Sequence, residues 1–411
     1  MADSTAPTRA WLVSGAVVGL AAVAAALATG LWVLTAVPIG LLFGFFLQKG
    51  DLCGASAISE VVLFRDRRKL FGLWVAIVTS MVVFAALDLL GLVKLSPKPL
   101  TWLNVSIGGV IFGAGTVFAG GCVSGCLYKS GAGNLNSMAA LVGIPFGVAL
   151  IKTGPLTALN KAMRAHVVKA ADGGSVTLSS VTGMPYWGLA LAIAIATVLF
   201  VLFRRRPDRP SGVRVREGPG VMQRLLFRRW RPWQAGLAIG LLGGLAWLSS
   251  AASGRNYALG VTGGVHQVGA LAFVSQPKHV YRPAPPAPAK TEAASATGTS
   301  AKASPPRQKI VWWLVALVTS LTAGALIAAK ASGDAALLPR PPGQTMVAFG
   351  GGILVGLGAG IAHGCVVGNI ISGIGMLSVG TMLFAVFTVL ANWAATYLYL
   401  MGGWPGSRAA P

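Results

Sequence analysis

Gly108-Gly-Val-Ile-Phe-Gly-Ala-Gly-Thr-Val-Phe-Ala-Gly-Gly-Cys-Val-Ser-Gly125 lies without a gap on Gly351-Gly-Ile-Leu-Val-Gly-Leu-Gly-Ala-Gly-Ile-Ala-His-Gly-Cys-Val-Val-Gly368. About half of the positions are identical, including the Cys and the Gly three residues after it. Each copy begins as an apolar helix and ends in a Gly-rich, semi-polar stretch, where glycine lets the chain leave one helix and restart another. Irregular backbone at membrane depth survives only where protein or a wet cavity satisfies its amide groups. The segments 50–63, 120–135 and 363–378 share this character, so all three are predicted to point inward. A weaker echo joins Gly40-Leu-Leu-Phe-Gly44 to Gly240-Leu-Leu-Gly-Gly244, with no second-half cysteine answering Cys53. Internal repeats with broken helices are a transporter pattern, with the site near the bilayer midplane. An inverted arrangement is the expected one.

The chain around these repeats is membranous. Of 411 residues, 55% are hydrophobic and 10% charged, with a mean hydropathy of +0.71. Soluble domains carry about 25% charged residues, so a water-soluble fold is excluded. Apolar runs at 11–29, 31–47, 70–92, 103–119, 137–151, 186–203, 234–250, 256–275, 311–329, 345–362 and 379–400 approach the ~20 residues of a spanning helix. A spanning barrel needs shorter, alternating segments. The expected fold is an all-α polytopic membrane protein, its two pseudo-symmetric halves joining broken or re-entrant helices at the midplane. Arg9 and the apolar run after it are read as a retained first helix rather than a signal peptide.

Lys and Arg number 33 against 10 Asp and Glu, a formal charge of +23. The basic residues concentrate in loops such as Arg65–Lys69 and 204–231, the pattern of positive-inside topology and attraction to anionic lipid. A basic surface also concentrates anionic solutes. Nucleic-acid binding is not expected, because the basic runs lack a recognition module. The chain divides into a first membrane half (1–203), a basic linker (204–232), the start of the second half (233–276), a Pro/Ala/Lys low-complexity linker (277–309) and the remainder of the second half (310–411).

The candidate site is built on the broken segments. A restarting helix offers free N–H groups and a positive dipole end to an anion. Two such ends meeting at the midplane would hold one without a buried Lys or Arg. Gly120, Gly121, Ser124, Gly125, Gly364 and Gly368 would expose that backbone. The cysteines Cys53, Cys122, Cys126 and Cys365 all lie in Gly-rich apolar sequence, which argues against a disulfide scaffold. A neutral thiol is a weak, soft donor suited to a polarizable sulfur-containing anion. Cys122 and Cys126, spaced i, i+4, could instead share a helix face and, with Cys53 and Cys365, form a soft thiolate set for Cu(I) or Zn. His363 can line the same cavity or simply pack. Lys49 and Asp51 flank the approach to Cys53 as a candidate pair. His166, His266 and His279 are placed in loops or at helix ends. No P-loop and no catalytic triad occurs, and no resident metal or cofactor is expected.

Three blocks together resemble the YeeE/YedE family, bacterial membrane proteins associated with thiosulfate and wider sulfur-compound transport. They are Gly44-Phe-Phe-Leu-Gln-Lys-Gly-Asp-Leu-Cys53 with Val62-Leu-Phe-Arg-Asp66; Ala119-Gly-Gly-Cys-Val-Ser-Gly125 with Gly131-Ala-Gly-Asn-Leu135; and Gly364-Cys-Val-Val-Gly368 with Ser372-Gly373. The resemblance implies an hourglass-shaped permease with Cys53, Cys122 and Cys365 along its central path. Cys126 and Asn369 fall where relatives carry another polar residue or His, which leaves selenium and persulfide species open beside thiosulfate. The expected protein is a non-enzymatic permease for a small sulfur-containing anion in the bacterial cytoplasmic membrane. Its expected partners are membrane lipids and a small cytoplasmic sulfur-carrier protein. The rival readings are a soft-metal transporter, a thiol-based sulfurtransferase or redox protein, and a scaffold for a sulfur-handling protein.

Overall fold

A computed structural model of the chain describes residues 6–170, 173–204, 226, 228–273, 278–281, 309–337 and 340–402. Most of the 204–232 and 277–309 linkers lie outside the described residues. The rest is almost wholly helical. The first half contains α1 (Ala6–Thr29), α2 (Ala36–Gly50), α3 (Gly54–Leu63), α4 (Arg68–Leu89), α5 (Trp102–Phe118), α6 (Val123–Gly131), α7 (Leu135–Lys152), α8 (Thr157–Arg164), α9 (Leu178–Thr182) and α10 (Tyr186–Arg204). The second contains α11 (Pro232–Ala252), α12 (Thr262–Phe273), α13 (Trp312–Ser332), α14 (Pro342–Ile361), a π-helical turn Val366–Ile371 running into α15 (Ser372–Gly375), and α16 (Val379–Ala395). A two-stranded parallel pair, β1 (Lys278–Val280) and β2 (Lys309–Val311), is the one named sheet among the described residues.

Ten segments of the described chain are long and apolar enough to cross a membrane. The run 256–275 is not among them. Its described part, 256–273, is an irregular stretch followed by the 12-residue α12, about 18 Å at 1.5 Å per residue, too short for a ~30 Å hydrocarbon layer. Membrane helices gain little from hydrophobic burial against one another, so they rely on close backbone approach through small residues. A Cβ on Gly44 of α2 would overlap the Leu321 carbonyl of α13, and one on Gly356 of α14 would overlap that of Ile144 in α7.

The repeated helices α5 and α14 pack on each other. Gly115 sits against Val355, and Gly358 against Phe112. In the gap-free alignment 115 corresponds to 358 and 112 to 355, so these contacts are reciprocal.

Contacts between chain ends fix the direction of each helix. Lys69 at the start of α4 pairs with Asp51 after α2, Trp230 N–H donates to the Lys49 carbonyl, and Ala336 N–H to that of Ala132. The ends of α2, α6 and α13 and the starts of α4 and α11 therefore share one face of the bundle. On the opposite face, Leu100 pairs with Val168 and Thr177 with Ser378, and Asn256 donates to the Lys94 carbonyl. The ends of α4, α11 and α14 and the starts of α5, α10 and α16 lie there. Consequently α5 and α14 run antiparallel.

Candidate functional site: three cysteines at restarted helices

Six long helices stop in the same way: α4 and α13 do so at Gly91 (φ 68°) and Gly333 (φ 72°), where the N–H of Leu92 reaches the Leu87 carbonyl and that of Asp334 the Ala329 carbonyl, and four more do so nearer the candidate site. At the ends of α2, α5, α11 and α14 the chain takes a left-handed residue, Asp51 (φ 45°), Gly120 (φ 68°), Gly254 (φ 89°) and His363 (φ 58°) respectively. The next N–H then reaches back to a carbonyl five residues earlier: Leu52 to Leu47, Gly121 to Thr116, Arg255 to Ser250 and Gly364 to Ala359, at 2.8–3.1 Å. This is the Schellman bond, which satisfies an orphan carbonyl and reverses the chain. Asp and His, like Gly and Asn, tolerate this left-handed region better than most residues. In three of the six bends the residue two places beyond the left-handed one is a cysteine (Cys53, Cys122 and Cys365); in the others it is Val93, Asn256 and Ala335.

Each of these cysteines is extended (φ/ψ −100/128°, −79/179° and −97/−166°) and directly precedes a new helical segment. Its carbonyl accepts the first helical bond, from Ala57, Cys126 and Asn369 respectively, at 2.8 Å in each case. The N–H groups of a first helical turn have no intrahelical partner, so each of these cysteines adjoins free amides. Sγ of Cys53 and Sγ of Cys122 are 3.9 Å apart, and Cys122 Sγ is 3.3 Å from Ser124 Oγ. A Cβ on Gly125 would overlap the Cys53 sulfur, and one on Gly54 would overlap Val366, the residue after Cys365. All four cysteines are free and buried.

Cys126 behaves differently. Because Cys122 is extended and stands outside α6, the two do not share a helix face, and Cys126 Sγ turns back to the Gly121 carbonyl at 3.6 Å. Among the described residues no three His, Cys, Asp or Glu side chains come together in a metal-holding group. Lys49 and Asp51 do not pair with each other. Lys49 donates to Ser332 Oγ at 2.6 Å, while Asp51 accepts from Lys69 at 2.6 Å and from the Tyr128 hydroxyl at 2.8 Å. His266 is buried within α12 rather than placed at a loop or helix end.

Two cavities flank the bends from opposite faces. The first, about 450 Å³, borders Asp51, Gly120, Tyr128, Lys129, Asp334 and Arg340. Lys129 Nζ donates to the Gly120 carbonyl at 2.8 Å, tying this mouth to the Cys122 bend. The second, about 320 Å³, borders Lys98, Lys152, Arg164, Arg255, His363, Gly364 and Gly368. Its four cations have no carboxylate partner among the described residues. Arg255, from the bend after α11, donates to the carbonyls of Tyr257 and Ala258. Arg164 donates to His363 Nδ1 at 2.8 Å.

Lys98 and Asn369 shape the Cys365 bend. Lys98 Nζ donates to the His363 carbonyl at 2.8 Å and to Asn369 Oδ1, and it stands 5.3 Å from the Tyr257 ring centre. The Asn369 amide donates to the carbonyls of Ala362 and Gly364. Burial pushes the Lys98 ammonium down to about 7, with the Arg255 charge acting in the same direction and Cys365 opposing it. Sequence reading missed Lys98, Lys152, Arg164 and Arg255 as one wall, because they come from separate loops and helix ends. The faint signal was Lys98 held between two prolines, a context that favours extended backbone.

A multi-pass helical protein with broken segments meeting inside the bundle, between two charged cavities, has the construction of a membrane transporter. The chain belongs to the sulphur-transport family, whose pattern matches residues 49–394. It is 28% identical over 377 residues to a thiosulfate transporter, TsuA, of Spirochaeta thermophila, covering 89% of this chain and 98% of that protein. It is 26% identical over 367 residues to TsuA of Escherichia coli, covering 89% and 94% respectively. A shorter likeness, 32% over 108 residues and 24% of each chain, joins it to the probable transporter YedE of Escherichia coli.

Proposed function

We propose that this sulfur-compound transporter is a permease for thiosulfate, taken up through a neck lined by Cys53, Cys122 and Cys365. The observation that carries the reading is the equivalence of those three positions: each thiol stands two residues past a left-handed turn, at the mouth of a restarted helix. The chain's likeness to two thiosulfate transporters supports thiosulfate as the substrate. In this reading a basic mouth collects the dianion, helix-end N–H groups take its oxygens, and S–H groups contact its terminal sulfur. Hydrogen bonding rather than persulfide relay is the preferred chemistry, because release of the anion unchanged requires no covalent step. The two halves then form an hourglass, with Gly120, Gly121, Ser124 and Gly125 on one side of the neck. Gly364, Gly368, Asn369 and His363 lie on the other. Cys126 supports the bend. The anion leaves on the face of the 64–67 loop, placed in the cytoplasm of a bacterial inner membrane, where a small sulfur-carrier protein can collect it.

The test is uptake of labelled thiosulfate by cells lacking other thiosulfate importers. Expression of this chain is expected to restore it, and uptake no higher than in the empty host would reject the assignment.

Lys98 adds a pH signature. A lysine lowered to about 7 is charged below that pH and neutral above it, so the mouth loses one positive charge as pH rises through 7. One screened charge interaction is worth about 1 kcal/mol, roughly fivefold in affinity. The half-saturating thiosulfate concentration is expected to rise by about that factor between pH 6 and 8, and the rise should vanish in Lys98→Met. The same slope in the variant would show that another group titrates.

A further inference from the structure

An apolar groove of about 840 Å³ opens on the side of the bundle, away from both mouths. Its walls come from α4, α10, α16 and the segment following Cys365, and Trp74, Ala196, Ile370, Ile374 and Val389 line it, with Arg67 at one end. Helix α10 runs antiparallel to α4, and Trp74 Nε1 donates to Thr197 Oγ1 at 3.2 Å across the gap. Only 6% of the spanning window of α10 is buried in protein, so the helix needs lipid on most of its surface.

The groove has the dimensions and polarity of one leaflet. From Arg67 to Ile77, both on its wall, ten residues of α4 rise about 15 Å, half of the ~30 Å hydrocarbon thickness. The interfacial end is cationic. Arg68 lies 3.9 Å from Asp66, whereas Arg65 and Arg67 have no carboxylate partner among the described residues. Basic residues beside a membrane attract anionic headgroups, at about 1 kcal/mol per charge. The deep end reaches Ile370, within the π-helical turn that Cys365 caps.

We propose that this groove is a binding site for an anionic glycerophospholipid. Its phosphate sits on Arg67 and one acyl chain fills the space between α4, α10 and α16, ending against Ile370 and Ile374. The lipid then backs the turn that positions Cys365 and holds α10 to the bundle.

The test uses the purified full chain, delipidated in detergent and titrated with phosphatidylglycerol or phosphatidylcholine, with bound lipid counted by native mass spectrometry. Phosphatidylglycerol is expected to be retained at least fivefold better than phosphatidylcholine. Ala196→Trp, which fills the groove, is expected to lower that retention at least fivefold. Arg67→Gln is expected to remove the headgroup preference, and this decides the matter if Ala196→Trp does not fold. Equal retention of the two lipids, wild-type retention by Ala196→Trp, or an unchanged preference in Arg67→Gln would each overturn the proposal. No readout depends on transport, so failure here is separable from failure of the permease reading.

Discussion

Gly125→Val is expected to abolish thiosulfate uptake, by at least tenfold, in a protein that still reaches the membrane. Residue 125 is in the first turn of α6, and even a Cβ there would overlap the Cys53 sulfur. A valine must displace the Cys53 bend or its own helix. Overpacking of this kind costs about 1–3 kcal/mol, which a ten-span bundle can absorb as stability. The neck cannot absorb it, because Gly125 also stands close to Cys122, 3.7 Å from its sulfur by the same construction. Membrane expression is measured by immunoblot and uptake with labelled thiosulfate. Full uptake by Gly125→Val would mean that the anion does not pass between these two thiols.

The second large effect concerns the thiols. A hydrogen bond to a charged group contributes about 1.5–3 kcal/mol, so removing one S–H donor that contacts the anion is expected to slow uptake roughly 10- to 100-fold. Cys122→Ala and Cys365→Ala should each show this, and the double variant should fall to background. Cys126→Ala is the control. Its thiol faces the Gly121 carbonyl of its own bend, and its loss is expected to change uptake less than threefold. Initial rates in cells, scaled to protein in the membrane, separate these outcomes. A Cys126→Ala defect as deep as that of Cys122→Ala would place both thiols in one functional group and return the soft-metal reading to consideration.

The membrane character and the inward-pointing segments were legible because they depend on local composition: apolar runs of spanning length, punctuated by glycine. The pairing of Cys122 with Cys365 was legible too, since their bends repeat side chains as well as backbone. Cys53 was harder to align. Its bend uses Asp51 where the others use Gly120 and His363, so the backbone shape repeats while the residues do not. The bend at Ser253-Gly-Arg-Asn256 carries no cysteine and leads directly into the apparent span at 256–275. There the hydropathy of a returning segment and short helix imitates that of a crossing helix. The i, i+4 spacing of Cys122 and Cys126, which the soft-metal alternative relied on, means a shared face only when both residues are helical, and Cys122 is extended. The basic wall around Lys98 was invisible for a different reason. Its charges come from distant loops and helix ends, and only the reversal of the chain at each bend brings them together.

The proposed permease moves a soft sulfur anion across a bilayer with no second protein. That is tested most directly by uptake of sulfane-labelled thiosulfate into sealed liposomes containing only the purified protein. Saturable accumulation of label is expected, suppressed by excess unlabelled thiosulfate and not by the same concentration of sulfate. Accumulation no greater than in protein-free liposomes, or equal suppression by sulfate, would contradict the proposal.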